Sequence, residues 1–472
     1  MLNHLEFVTK EKSMLIAPAG FGKTHTIAEC LKLTQNKGKQ LILTHTHAGV
    51  ASIKEKIKKE GIPYSSYEVE TITSFAQKYV LSFYLGKIDD RENPQIYYPF
   101  IIEKAISLFK LIPIKQIVLN TYSGLFVDEY QDCTVKQHEL ILLLSDIFPT
   151  HILGDFLQGI FGFNGERLVD ITNPEEMKEF GVTKYELDKP QRWLNGNNSI
   201  LGTDLKGIRE ELIKKQHIDL SKYLSVETHI SKDIYREHYS VILKLLNDEN
   251  SILIIDPIST SINSRIKFIQ QFKNIPRLIE SIDDKEFYEL AKCADLATKE
   301  NVLGKLMELC FKLFNDAGVK NWFNENGFKR KTKLEDKAFI EPIESKVKLL
   351  ETNFSFSLFA IVIAGIKKLP EIKCYRKELF YTFCKTLEDA EYQNISVFDS
   401  MINKRNLTRR IGRKVSGKCV GTTLLTKGLE FDTVAIINAQ KFNCPKHLYV
   451  AMTRASKRLI VFTDNGILNP HN

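Results

Sequence analysis

Ala17-Pro18-Ala19-Gly20-Phe21-Gly22-Lys23-Thr24 stands between the apolar run Met14-Leu15-Ile16 and a helix-like stretch, His25 to Lys32. Strand, glycine loop and helix in that order form the setting a phosphate-binding loop requires. Gly20 and Gly22 let backbone amides wrap phosphates, and Lys23 places a point charge on the β and γ groups. Thr24 offers a hydroxyl to Mg²⁺, while Ala19 and Phe21 complete the cradle. The bland alternative is a glycine turn before an ordinary helix, and only the rest of the chain decides between the two.

Further short apolar runs follow: Leu41-Ile42-Leu43, Leu125-Phe126-Val127 and His151-Ile152-Leu153, each trailed by polar residues and then a helical pattern. Parallel α/β sheets read this way, and they bind ligands at the carboxyl ends of their strands. Between about 76 and 121 the chain is helical and rich in Tyr, Phe, Ile and Lys, which predicts a helical insertion in a first lobe spanning 1–190. Strand-like runs return at Ser251 to Asp256, Val434 to Ile437 and Leu459 to Phe462, so a second lobe is expected from 191–282 and 407–472. The intervening 283–406 carries Leu303, Leu306, Cys310 and Leu313 at helical spacing and reads as a second helical insertion.

Leu125-Phe126-Val127 runs directly into Asp128-Glu129. Two carboxylates after a buried strand are tolerated where they emerge at the sheet edge, within reach of a metal. Asp128 is the candidate for holding Mg²⁺ opposite Thr24, and Glu129 the general base that orients the attacking water. The competing reading is an acidic helix cap, but only Asp132 or Thr134 stands where the helix from Val135 could use it. Together the loop and the acidic pair point to hydrolysis of a nucleoside triphosphate, with ATP and Mg²⁺ as the expected cofactors.

The 472 residues are 43% apolar and should divide into two to four domains. A net charge of +8, from 66 basic and 58 acidic residues, suits a polyanionic partner but is too shallow to indicate one. Eight dispersed cysteines lack the spacing of a zinc or redox motif, which fits free thiols in a reducing compartment. Met1 to Phe7 leads towards a strand without a signal region, and no apolar run is long enough to span a bilayer. The expectation is a cytoplasmic protein without a membrane partner.

Asp128-Glu129-Tyr130-Gln131-Asp132 resembles helicase motif II of the UvrD/Rep/PcrA group in superfamily 1. The group's other signatures have counterparts in order. Thr44-His45-Thr46-His47 is similar to motif Ia, Thr71-Ile72-Thr73-Ser74-Phe75 to the next DNA-contacting motif, and Gly154 to Phe161 to motif III. Pro190-Gln191-Arg192 is similar to motif IV, Thr423 to Phe431 to motif V, and Tyr449-Val450-Ala451-Met452-Thr453-Arg454-Ala455 to motif VI. The resemblance implies an α/β fold of two RecA-like P-loop lobes with parallel sheets, plus helical insertions, working as a three-prime to five-prime motor on single-stranded DNA. It assigns Gln158 to sensing the γ-phosphate, Arg192 and Arg454 to charge stabilisation from the second lobe, and Glu430 to the ribose. His45, Thr73, Phe161 and Phe163 would line the nucleic-acid track, where aromatic faces stack on bases without reading them. The plainer readings are surface salt bridges for the arginines and core packing for Phe163.

Departures cluster away from hydrolysis. None of Met1 to Lys12 is the adenine-reading Gln of the family, leaving selectivity for ATP over GTP open. His45 stands where motif Ia has Phe, Asn164 where motif III has Arg, and Leu424 where motif V has His. The helical stretch 283–406 stands in place of the family's large fourth subdomain, and this trimmed layout is similar to the helicase component of the Gabija anti-phage system, which works with an OLD-type nuclease. The alternative to a motor is therefore a nucleotide-gated ATPase that controls a nuclease or other defence protein without separating strands.

Overall fold

The computed structural model describes residues 2–88, 94–162, 166–258, 262–281, 285–324, 327–411 and 415–471. The chain forms two compact units. One comprises Met1–Thr260, Ile411–Lys418 and Thr422–Asn472, and the other Ser261–Arg410 with Cys419–Gly421.

The first unit contains a six-stranded parallel sheet built from β1 (Lys12–Ile16), β2 (Gln40–Thr44), β3 (Tyr67–Thr71), β4 (Gly124–Val127), β5 (Thr150–Gly154) and β6 (Lys184–Glu186). Its spatial order is β3, β2, β4, β5, β1, β6. Every residue of β2, β4 and β5 is buried, the mark of strands covered on both faces. Side-chain alternation divides them between two cores. Leu41, Leu43, Leu125, Val127 and Ile152 pack under the helices Ile72–Phe83, Pro94–Phe109, Ile112–Thr121 and Val135–Ser145. Leu15, Ile42, Phe126 and Leu153 turn the other way, onto Lys23–Thr34 and His47–Lys59. Burying one such aliphatic side chain stabilises the fold by about 1.5–3 kcal/mol.

The same unit holds β7 (Val226–Ile230), β8 (Ile252–Ile255), β9 (Phe431–Ile436) and β10 (Ala455–Thr463). β8, β9, β10 and β7 are successive parallel neighbours, so the second sheet is discontinuous in sequence. The two sheets with their covering helices form two RecA-like lobes.

The N-terminus departs from expectation. His4–Val8 is a short helix whose cap, Asn3, accepts a hydrogen bond from the Glu6 amide. A local side-chain cap starts the helix where a lead into the strand was expected, and buried Phe7 anchors it.

The second unit is predominantly helical, with Lys285–Asp295, Val302–Leu313, Leu334–Thr352, Phe356–Ile366, Lys377–Gln393 and Val397–Ile411 as its main helices. Leu306, Cys310 and Leu313 are buried in its core, and Leu303 packs against that core from a half-buried position. Buried Arg376 pairs with Glu280 at 3.2 Å. Arg277–Leu278 pairs in parallel with Cys419–Val420. No described helix is long and apolar enough to cross a membrane.

Candidate nucleotide site

β1 ends at Ile16, and the loop returns as a helix from Lys23. Gly20 and Gly22 have φ of +75° and +104°, conformations that L side chains resist. At Gly20 a Cβ would also stand 2.7 Å from Trp193 Cζ3, because the fully buried indole packs directly against the loop. The Arg192 amide donates to the Gly20 carbonyl at 2.9 Å. Trp193 Nε1 donates to the Ala455 carbonyl, also at 2.9 Å, and the Ala19 amide donates to the Tyr449 hydroxyl at 3.3 Å. Motifs distant in sequence thus touch the loop itself.

Lys23 is buried, and its Nζ lies 3.3 Å from Glu129 Oε1 as an ion pair. The ammonium makes no directed hydrogen bond to any described atom. Burial lowers its pKa, but Glu129, Asp128 and Asp155 outweigh that and hold it charged. Asp128, at the end of β4, is buried with Oδ1 lacking a hydrogen-bond partner among the described residues. Burial, reinforced by Glu129, pushes its pKa up. Glu129 sits in the left-handed region at φ +56°. Burial would raise it too, but Lys23, Lys427 and a hydrogen bond from Gln131 Nε2 hold it well below the usual carboxylate range. The two adjacent acids are thereby shifted in opposite directions. A charged lysine, a carboxylate oxygen without a partner and the half-buried Thr24 at the start of the helix fit a Mg²⁺–triphosphate in donor type and charge.

Gln131 Oε1 accepts the Asp155 amide at 2.9 Å, which ties the acidic segment to the end of β5. Asp155 is completely buried. Its Oδ2 accepts from Gln158 Nε2 at 3.0 Å and its Oδ1 from Arg209, also at 3.0 Å. Gln158 is therefore held by its side-chain amide against Asp155.

Arg192 donates to the Thr453 carbonyl and to Glu430, both at 2.5 Å. The Arg454 guanidinium is buried and donates to the carbonyls of Val450 at 2.9 Å and Leu429 at 3.2 Å. Burial and the charge of Arg192 depress it to about 10, against the pull of Glu430 and Glu129. Arg454 thus senses the same Glu129 that Lys23 pairs with. Lys23 pairs with Glu129, and Arg192, which pairs with Glu430, is hydrogen-bonded to the loop through its backbone amide.

Of the expected nucleic-acid residues, His45 and Phe161 share Lys427 as a neighbour. His45 is half-buried, 3.5 Å from Cys133 Sγ through Nε2, and burial with nearby Lys427 pulls its pKa down to about 3. Thr73 is half-buried in the first turn of Ile72–Phe83, which Thr71 caps. The half-buried Phe161 ring has the Lys427 ammonium 4.5 Å from its centroid. Phe163 and Asn164 lie outside the described residues. Thr134, the alternative helix cap, does cap Val135–Ser145 in a capping box with Gln137, which leaves Asp128 and Glu129 outside that role.

Gln131, Asp155, Lys427 and Tyr449 stood inside the quoted motifs without an assigned part. Arg209 had no motif at all. Its one signal was its place beside the apolar stripe Leu201, Leu205, Ile208 and Leu212, where a charge needs a buried partner.

An AAA domain family model matches residues 5–164. The exonuclease/helicase protein RexA of Lactococcus lactis subsp. cremoris (strain MG1363) is 32% identical over 101 residues, 21% of this chain and 8% of the relative. The ATP-dependent DNA helicase PcrA of Staphylococcus aureus (strain Mu50 / ATCC 700699) is 27% identical over 150 residues, 30% of this chain and 18% of PcrA. In its first lobe the chain is thus similar to UvrD/PcrA-like superfamily 1 helicases. The match spans less than a fifth of the length of either relative. The crystal structure of Pif1 helicase from Candida albicans aligns over 99% of this chain and 95% of its own, at 12% identity and a TM-score of 0.38. That value is too low to support any inference.

Proposed function

We propose that this protein is an ATP-dependent motor on single-stranded DNA, moving three-prime to five-prime, in which hydrolysis is coupled to closure of the two lobes. The convergence of Lys23 and Glu129 from the first lobe with Arg192, Glu430 and Arg454 from the second carries this reading. Thr24 and Asp128 would hold Mg²⁺, and the cradle from Ala19 to Lys23 would hold the triphosphate. Bound Mg²⁺ supplies neutralisation of phosphate charge. Glu129, kept ionised by Lys23 and Lys427, accepts the proton of an attacking water. Gln158 orients the γ-phosphate, and Arg454 with Arg192 stabilises charge on the transferring group. The lobe limits that go with this function are 1–190 for the first and 191–282 with 407–472 for the second, with 283–406 as an insertion.

ATP turnover on single-stranded, duplex, forked and RNA oligomers, with strand displacement scored in parallel, tests the proposal. Stimulation by oligo-dT is expected. Turnover indifferent to every nucleic acid would refute the motor. A second reading, a nucleotide-gated ATPase that controls a partner nuclease, is favoured by the name of the Lactococcus relative and by His45, which stands half-buried against Cys133 where the family has Phe. It predicts ATP hydrolysis without strand displacement until a nuclease partner is added. An antiviral role would follow from the identity of that partner.

A further inference from the structure

Lys427 follows the short helix Thr423–Thr426 and precedes β9. Its buried ammonium forms an ion pair with Asp132, itself only 1% exposed. The ammonium also donates to the Gln158 carbonyl at 2.6 Å and lies 4.5 Å from the Phe161 ring centroid. Each of the three partners belongs to a segment with a separate task. The Asp132 amide donates to the Glu129 carbonyl at 3.0 Å, closing the turn that carries the base. Gln158 carries the amide that the proposed function assigns to the γ-phosphate, and Phe161 follows it by three residues on the same strand-end loop.

Neutralising a buried carboxylate would require only the first contact. The carbonyl and ring contacts do nothing for Asp132, yet they fix Gln158 and Phe161 relative to one charge supplied by the other lobe. We propose that Lys427 is a positioning residue that couples the hydrolytic groups to the stacking ring, so that strand occupancy at Phe161 is transmitted to the turn bearing Glu129 and to Gln158. This rests on the motor reading above.

The test uses the full chain, with kcat and KM for ATP measured with and without oligo-dT, and oligo-dT binding by fluorescence anisotropy. For Lys427→Met, the ratio of stimulated to unstimulated kcat should fall by about tenfold, within the usual range of coupling between sites. Lys427→Arg should retain part of the ratio, since a guanidinium can still reach a carboxylate, a carbonyl and a ring. The double variant Asp132→Asn with Lys427→Met removes both buried charges, so it decides the matter if the single variant fails to fold. It should stay uncoupled. Recovery of the ratio in the double variant would reduce Lys427 to a counter-charge and overturn the proposal, as would an unchanged ratio in Lys427→Met. Absence of stimulation in the unaltered protein would instead refute the motor reading itself.

Discussion

Arg209 and Asp155 form a deeply buried ion pair in the first unit. The Arg209 side chain is 7% exposed and that of Asp155 0%, with 3.0 Å between them. Arg209→Met, within the helix Ser199–Ile213, keeps an apolar stem but leaves the carboxylate buried without its cation. Removing one partner of a buried pair costs about 3–5 kcal/mol. Asp155 keeps hydrogen bonds from the Leu157 amide at 3.3 Å and from Gln158 Nε2 at 3.0 Å, which places the loss at the lower end, about 3 kcal/mol.

The two tryptophans fall in different units, Trp193 in the first and Trp322 in the second. In a Trp322→Phe background, fluorescence reports on Trp193 alone, so urea unfolding of the first unit can be followed separately. With m of about 3 kcal/mol per molar urea, the midpoint should fall by about 1 M. Adding Asp155→Asn to Arg209→Met removes the stranded charge and should restore at least half of the loss, since replacing both ions is close to neutral. A midpoint shift below about 0.3 M, or a double variant no better than the single, would show that the pair is not the buried contact described. Turnover offers a second readout, because Asp155 also holds the Gln158 amide. Arg209→Met should lower kcat more than it changes KM.

Three further outcomes are expected. Lys23→Ala should abolish tight ATP binding, whereas Glu129→Gln should bind normally and turn over about 10²–10⁴-fold more slowly; equal loss of binding in a filter assay would contradict this division of roles. Arg454→Ala should lower kcat by about 10³-fold, with little recovery in Arg454→Lys because an ammonium cannot fork; phosphate release within tenfold of the parent would remove Arg454 from the chemistry. His151, buried beside Ser13 at 2.7 Å, has its pKa lowered by burial from 6.5 to about 4. Between those values the unfolded chain binds the extra proton, so stability falls as pH drops through the window, by about 3 kcal/mol at most. His151→Gln should flatten that part of the acid dependence in urea unfolding, and an unchanged slope would locate the sensitivity elsewhere.

The central strands were legible because burial on both faces forces unbroken apolar runs such as Leu41-Ile42-Leu43 and Leu125-Phe126-Val127. β3 and β6 border the first sheet, and β7 neighbours only β10 among the strands of its unit described above. Their segments, Tyr67–Thr71, Lys184–Glu186 and Val226–Ile230, interleave Glu, Lys, Thr and His with the apolar positions. A strand with one open side can leave polar side chains in water, and its sequence then reads as a loop. Glu68 and Glu70 on β3 are such residues, both held by Lys78.

The candidate site divides along the same physical line. Phosphate and metal chemistry demands several groups within one turn of chain, so Gly20 to Thr24 and Asp128-Glu129 announce themselves as strings. Positioning demands only that one opposite charge arrive from anywhere. Arg209 reaches Asp155 from 54 residues away, and Lys427 reaches Asp132 across 295. A one-dimensional pattern has no means of joining such pairs. What it does carry is the cost of leaving them unpaired: an arginine beside an apolar helical stripe and an acid after a buried strand each require a partner that the local sequence lacks. Orphaned charges at apolar positions therefore indicate, before any fold is known, where distant segments must meet.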